Sequence, residues 1–361
     1  MSLFQNRAVT RRRLSALACA TALVLPVTAQ AEVDFSGETV RIVYNAGPGG
    51  ATGLFAQILA ANIGRHLPGE PEVIAEPMPG GALLRGMQYV YHAEPDGLTL
   101  GWLAWGGATR VLDPEELQIP FGEFGLAGGL GNTWVVHAAT SMGIETGADF
   151  ADQERVVYGG FTPGSSEIRA VASMDLLGIE TDFVGGFRGG AETQAAMQRG
   201  EIQMRNGTVS NWLTSVVPEM VETGDSVGLF YWGRPRQDGT EAPNDQLDGL
   251  PTFYDYVLEE RGEAPSGEAY DLVRYLSSAA DGMTWIFVTP PETPDEITQA
   301  VAAAYEAVMQ DPAMAEAARN VLGSTPEVVL RDEALEVMQI VEEVSPGIRA
   351  TMQAYIDRLS R

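Results

Sequence analysis

Short unbroken apolar runs alternate along this chain with stretches whose apolar residues recur every three or four positions. The first pattern predicts buried strands and the second predicts amphipathic helices. Arg41-Ile42-Val43-Tyr44 predicts a short buried strand. Asn45 to Gly53 is a glycine-rich turn, and a helix is expected from about Leu54 to Arg65. Further strands are expected at Glu72–Glu76 and Leu98–Leu103, separated by a loop at Pro77–Gly81, a helix from about Ala82 to His92 and a turn at Pro95–Gly97. The rhythm restarts after residue 150. Strands are expected at Arg155–Tyr158, Thr181–Val184 and Ile202–Met204, helices at Ser166–Leu177 and Ala191–Arg199, and glycine-rich loops at Gly159–Ser165 and Gly185–Gly190. Residues 236–268 are rich in Pro, Gly, Asp and Glu and read as a surface loop around a short helix at Thr252–Glu260. A strand at Trp285–Val288 precedes four tail helices, Pro294–Gln310, Pro312–Leu322, Asp332–Glu343 and Pro346–Leu359. Each starts near a Pro or Asp, as helix starts do. Apolar stripes such as Val301, Tyr305, Val308 and Met309 are packing faces.

Strands alternating with helices imply an α/β fold, with mostly parallel sheets flanked by helices. Two lobes of similar style are expected: 32–136 together with 285–361, and an inserted lobe at 137–284. Ligands of open α/β sheets bind at the carboxyl ends of the strands. In both lobes those ends carry glycine-rich loops. Glycine lets the backbone approach a ligand closely, and the helix that follows points its positive end into the same space. Two facing anion sockets with a cleft between them is the simplest arrangement.

The first 31 residues read as an export signal. Arg7, Arg11, Arg12 and Arg13 form the positive end, Leu14 to Val27 the apolar stretch, and Thr28-Ala29-Gln30-Ala31 the cleavage site. The Thr10-Arg11-Arg12-Arg13-Leu14 run resembles a twin-arginine signal, with an ordinary general-secretion signal the favoured reading. Cys19 lies inside the apolar stretch and fits a lipid-attachment site poorly. Cleavage after Ala31 would leave a soluble periplasmic chain of about two domains. It would contain no cysteine, which excludes disulfides and thiol chemistry. It would hold 18 basic against 49 acidic residues, a net charge of −31, which disfavours nucleic acid. All 22 basic residues are arginine, so any cationic contact to a ligand is a planar fork suited to carboxylates.

Several segments in order resemble the periplasmic solute-binding proteins of tripartite tricarboxylate transporters, the Bug-type receptors. Pro48-Gly49-Gly50-Ala51-Thr52 resembles the first binding loop of that family, and Glu76-Pro77-Met78-Pro79-Gly80-Gly81 its strand and Pro-Gly loop. Glu94-Pro95-Asp96-Gly97-Leu98-Thr99-Leu100 resembles its Pro-Asp-Gly stretch. Tyr158 to Ser166 resembles the second binding loop, and Phe183 to Ala191 its Val-Pro-Tyr-Lys-Gly segment. Leu250-Pro251-Thr252 and Thr289 to Pro294 complete the series. The order and spacing carry the likeness; no single segment is specific. It covers most of the chain beyond the signal. It implies a type II-like periplasmic binding protein with a ligand cleft between its lobes, acting as a monomer without cofactor or catalysis. The ligand would be a small organic carboxylate and the partners the membrane subunits of the transporter. Two positions depart from the family, which often has Asp where Gly53 stands and Lys where Arg188 stands.

The candidate ligand-binding residues are Gly47, Pro48, Gly49, Gly50, Ala51 and Thr52 in the first loop, with Trp105 and Gly106 beyond the third strand. In the second lobe they are Thr162, Gly164, Ser165, Ser166, Arg188 and Gly189. Each has a plainer reading. The glycine loop can be a tight turn, either serine a helix N-cap, and Arg188 a solvated surface group. Trp102 reads as core, and Arg169 as a surface or interlobe pair. His66, His92 and His137 lack metal-ligand spacing. Two other functions fit the same fold. Gly47-x-Gly49 after a strand, with Glu76 ending the next, is a near miss of a dinucleotide fingerprint, its third glycine one place late at Gly53. An exported dinucleotide-dependent oxidoreductase is therefore the alternative, and a sensor receptor is a third reading.

Overall fold

The computed structural model describes residues 33–49, 51–81, 83–104, 119–161, 164–187 and 190–360. The expected export signal lies outside them. Numbered in chain order, the first elements are β1 (Thr39–Tyr44), α1 (Ala51–Ile63), β2 (Glu72–Pro77), α2 (Leu84–Tyr91) and β3 (Thr99–Ala104). Next come β4 (Gly125–Gly131), β5 (Trp134–Ala139), α3 (Gly147–Ala151), β6 (Arg155–Gly159), α4 (Ser165–Leu176), β7 (Glu180–Val184), α5 (Gly190–Gln198) and β8 (Met204–Thr208). A helical turn, Val209–Asn211, then runs into a π-helix, Trp212–Val221, which contains Pro218. β9 (Ser226–Tyr231), the short β10 (Arg234–Pro235) and β11 (Glu241–Ala242), α6 (Phe253–Arg261) and α7 (Glu268–Leu276) follow. The chain closes with β12 (Trp285–Thr289), α8 (Asp295–Met309), α9 (Pro312–Leu322), β13 (Glu327–Leu330), α10 (Arg331–Glu342) and α11 (Pro346–Leu359).

Two sheets result. The first has the strand order β13-β4-β12-β3-β1-β2, and the second β7-β6-β8-β5-β9. The two-sheet α/β class is the expected one, but its strand directions need correcting. Parallel pairing is confined to β2-β1-β3 and to β7-β6-β8. β12 and β13 run antiparallel to their neighbours, and so does β5. Parallel pairs need a helical crossover between strands, which the strand–helix rhythm reveals. β4, β5 and β12 lack that crossover. Only Asn132 and Thr133 separate β4 from β5, so the chain passes straight from one sheet to the other.

Four of the seven residues of β4 are glycine, which leaves no apolar run or alternation to mark a strand. The packing explains them. A Cβ on Gly129 would lie 2.2 Å from the Trp285 carbonyl oxygen, and one on Gly128 2.7 Å from the Tyr305 ring. The Tyr305 hydroxyl donates to the Gly129 carbonyl at 2.6 Å. The strand expected at Ile202–Met204 instead begins at Met204.

Apolar side chains fill both faces of both sheets. Trp102 is core as expected, fully buried and stacked on Phe55 at 4.6 Å. α8 and α10 cover the first sheet and α9 packs on α1 and α8, whereas α11 lies on α4 and α7. There Asp175 accepts from the Tyr355 hydroxyl and from Arg358, both at 2.7 Å.

Candidate ligand-binding site

The first socket starts where β1 ends. Asn45 is fully buried and ties three strand and loop ends together. Its Nδ2 donates to the carbonyls of Ala104 at 2.8 Å and Leu83 at 3.2 Å, and its Oδ1 accepts from the Ala104 amide at 3.0 Å. The apolar pattern gives no hint of it, because a lone Asn after a strand looks like turn chemistry. Gly47, Pro48 and Gly49 then form an exposed turn, and the Pro48 carbonyl accepts from Gln57 Nε2 of α1 at 3.1 Å.

α1 begins at Ala51, and its first turn explains the departure at Gly53. A Cβ there would lie 2.5 Å from the Gly47 carbonyl oxygen and 2.8 Å from Pro48 Cα. Any side chain, aspartate included, would push the loop off the helix. Thr52 is held from the neighbouring strands: its hydroxyl accepts from Trp285 Nε1 at 2.8 Å. Ala51 faces a cavity of about 310 Å³ between the two sheets, shared with Trp285 and Glu327 on one side and Trp134, Thr208 and Ser210 on the other. A broader depression of about 1020 Å³ beside β1 and α2, lined by Arg41 and Arg85 among others, contains none of the candidate residues.

The loops of the second sheet brace each other. The Gly160 amide donates to the Val184 carbonyl at 3.1 Å and the Gly186 amide to Phe161 at 2.7 Å, so the loops after β6 and β7 are joined through their backbones. Phe161 N–H donates to Glu167 Oε1 at 3.1 Å. The N-cap of α4 is Gly164, without a side-chain cap. Neither Ser165 nor Ser166 caps the helix, then, because it starts one residue before the expected place. Gly50, Trp105, Gly106, Thr162, Arg188 and Gly189 lie outside the described residues, as do the side chains of Ser165 and Ser166.

Two further arginines are buried. Arg169 is 1% exposed, not at the surface. Its guanidinium sits over the Trp232 ring at 4.0 Å, pairs with Asp281 and donates to Ser277 Oγ at 3.3 Å. Burial lowers its pKa to about 9, with Tyr158, Glu241 and Glu167 partly offsetting that pull. Arg205 on β8 is equally buried; standing beside Asn206 and Gly207 in a strand whose one large apolar side chain is Met204, it gave no signal in the sequence. His137 is buried beside it, and burial holds its pKa well below 6.5. Among the described residues no three His, Cys, Asp or Glu side chains cluster as metal ligands, and no helix is long and apolar enough to cross a membrane.

No family model matches the sequence, and no curated protein matches it by sequence alone. Solved structures do match the fold. A TctC solute-binding protein from Polaromonas superposes with a TM-score of 0.64 at 17% identity, over 89% of this chain and 98% of that one. A protein of R. palustris with adipate gives a TM-score of 0.60 at 15% identity, over 89% and 99% of the two chains. MatC from Rhodopseudomonas palustris with bound malate gives 0.53 at 18%, over 89% and 98%. The fold is that of the two-lobed periplasmic solute-binding proteins. Within that class, it is the TctC and Bug receptors of tripartite tricarboxylate transporters, the family resembled in the sequence, whose fold this chain shares over nearly its whole described length.

Proposed function

We propose that the protein is an exported periplasmic receptor that captures a small organic carboxylate and delivers it to the membrane subunits of a tripartite tricarboxylate-type transporter. The observation that carries this reading is the pair of strand–glycine loop–helix units, set in a fold shared end to end with proteins that hold malate and adipate. In this reading the lobes 32–136 with 285–361, and 137–284, close on the ligand. Their boundaries are supported by sheet membership: strands at 134–231 form one sheet, and those at 39–131 and 285–330 the other. Backbone amides, hydroxyls and bridging waters hold the carboxylates. The loops 47–52, 162–166 and 188–189 and the pair Trp105–Gly106 supply them. Gly53 has a packing reason in the close approach of Gly47 and Pro48, so it needs no pyrophosphate to explain it, which favours the receptor over the oxidoreductase.

A thermal-shift and calorimetric series over malate, adipate, citrate and their monocarboxylate counterparts tests the reading. A cognate acid at about a hundred times its dissociation constant adds about 2.7 kcal/mol of stability. If no acid raises the midpoint, the receptor assignment fails. Gly49→Val then tests the loop. Among the described residues, chain neighbours aside, no atom lies within 4 Å of a Cβ placed there, so the described fold leaves room for the change. The side chain enters the space in front of the loop amides and is expected to weaken binding about tenfold or more, or about 1.4 kcal/mol. Unchanged affinity would remove the first loop from the site.

A further inference from the structure

Arg205 is 1% exposed, and its partners among the described residues are neutral. Nη2 donates to Asn211 Oδ1 at 3.1 Å, while Nη1 faces Gln194 Oε1 at 3.4 Å and His137 Nε2 at 3.5 Å. The surrounding bonds fix the His137 and Gln194 groups as acceptors. The Ser226 hydroxyl donates to the Ala138 carbonyl at 2.9 Å, so it accepts from His137 Nδ1 at 2.8 Å, which leaves Nε2 as the bare nitrogen. Gln194 spends its Nε2 on Ser215 at 3.1 Å and Glu219 at 2.7 Å, which leaves Oε1 toward Arg205. These neighbours orient a cation without cancelling its charge. The Nε of Arg205 has no partner among the described residues. Burial lowers its pKa to about 10, and among the described residues Tyr158 is the group that acts to raise it. It is therefore a cation at neutral pH.

The guanidinium also abuts a second positive feature. A Cβ on Gly190, the first residue of α5, would lie 3.2 Å from Arg205 Nη2. The free N–H groups of a helix start carry partial positive charge. The first turn of α5 carries one acid, Glu192. A buried guanidinium pressed against a helix N-terminus costs free energy unless an anion joins them. This chain has 49 acidic residues, yet the partners of Arg205 among the described residues include no carboxylate.

We propose that Arg205 and the N-terminus of α5 form an anion seat in the second lobe that holds one carboxylate of the ligand, with Arg205 as a specificity-determining residue. This inference rests on the carboxylate-receptor reading above. It implies that the ligand is chosen for an anionic group at this end, and that esterifying that carboxylate abolishes the Arg205 contribution.

Calorimetry with adipate and malate, each compared with its monomethyl ester, on the wild type, Arg205→Met and Arg205→Lys tests it. Arg205→Met is expected to weaken the diacid about 30-fold or more, the lower end for truncating one partner of a buried charge pair, while changing the ester only a few-fold. Arg205→Lys should fall between, because a point charge replaces a planar fork. If Arg205 serves structure alone, diacid and ester lose affinity by the same factor or not at all, and either result overturns the proposal. Should Arg205→Met fail to fold, Arg205→Lys and Gly190→Ala, which crowds Nη2, decide by the same diacid-to-ester ratio. A wild type that binds none of these acids fails the receptor reading itself, and the inference with it.

Discussion

Asp281→Asn is expected to cost about 3–5 kcal/mol of folding stability, the range for removing one partner of a buried ion pair. Asp281 follows α7, and its carboxylate pairs with Arg169 of α4 inside the protein. The Arg169 side chain is 1% exposed and its partner 11%, so water cannot replace the lost charge. The pair does more than join two helices. Ser173 Oγ donates to the Arg169 carbonyl and accepts from Trp232 Nε1, each at 2.9 Å, and the Trp232 ring lies under the guanidinium. The Asp281 carbonyl accepts from the Asn132 amide at 2.9 Å, at the crossing between the sheets. Yet Nε and Nη2 of Arg169 find no partner among the described residues, so the pair is an expensive one. The double change Arg169→Met with Asp281→Leu should therefore recover most of the loss, since well-packed apolar side chains often match a buried ion pair. Urea denaturation of the single and double variants checks both statements. A single variant within about 1 kcal/mol of wild type would show that the pair behaves like an exposed one.

Glu241 is expected to make stability fall as pH rises from about 4.5 to 7. It lies on β11, 4% exposed, with its Oε2 accepting from the Gly233 amide at 2.9 Å and its Oε1 without a partner among the described residues. Burial raises its pKa from 4.5 to about 7, against the pull of the Gly233, Tyr254 and Phe253 amides and of Arg169. Between those two values the folded chain holds the proton and the unfolded chain releases it. The folded state thus binds more protons, and stability declines with pH across that window and levels off above it. The upward shift is worth about 3 kcal/mol at pH 8. Glu241→Gln keeps an acceptor for Gly233 and removes the ionisation. It should gain stability over wild type at pH 8, by up to that amount, and lose the advantage near pH 4.5. The comparison is a difference between two unfolding curves, so other titrating groups cancel. Parallel pH profiles for the two proteins would show that Glu241 ionises as freely folded as unfolded.

Both groups mark where reading the sequence stops. The units Arg41 to Arg65 and Arg155 to Leu177 were legible because a strand, a glycine turn and a helical stripe follow one another without interruption. The tail helices were legible from their Pro and Asp starts, and α8 to α11 fall within a residue of the expected bounds. Glu241 was hidden because 236–268 has the composition of a solvated loop, whereas β10 and β11 fold it inward. β4 was hidden because its glycines answer to Tyr305 and Trp285, residues more than 150 positions away. Arg169 read as a surface or interlobe pair and Arg205 gave no signal, because burial of a charge depends on partners that only the fold brings near, such as Asp281, Asn211 and His137. The first loop was placed by its glycines, but the buried tie at Asn45 and the crowding at Gly53 became visible only in three dimensions.

The central position of β12 in the first sheet sets an order of events for a chain released end first. β3 pairs with β12, and β12 with β4, so β1, β2 and β3 have no bridge to β4 until residue 289 has emerged. The second sheet needs nothing beyond residue 231. It can close while the first is still two fragments, with the β3 edge open to pairing with other chains. The closure entropy of a long loop is met before its contacts form, which makes such late pairings slow. Amide protection in β5 and β8 should therefore precede protection in β3 and β4, which pulsed hydrogen exchange reads directly; simultaneous protection would mean that the two sheets form as one unit.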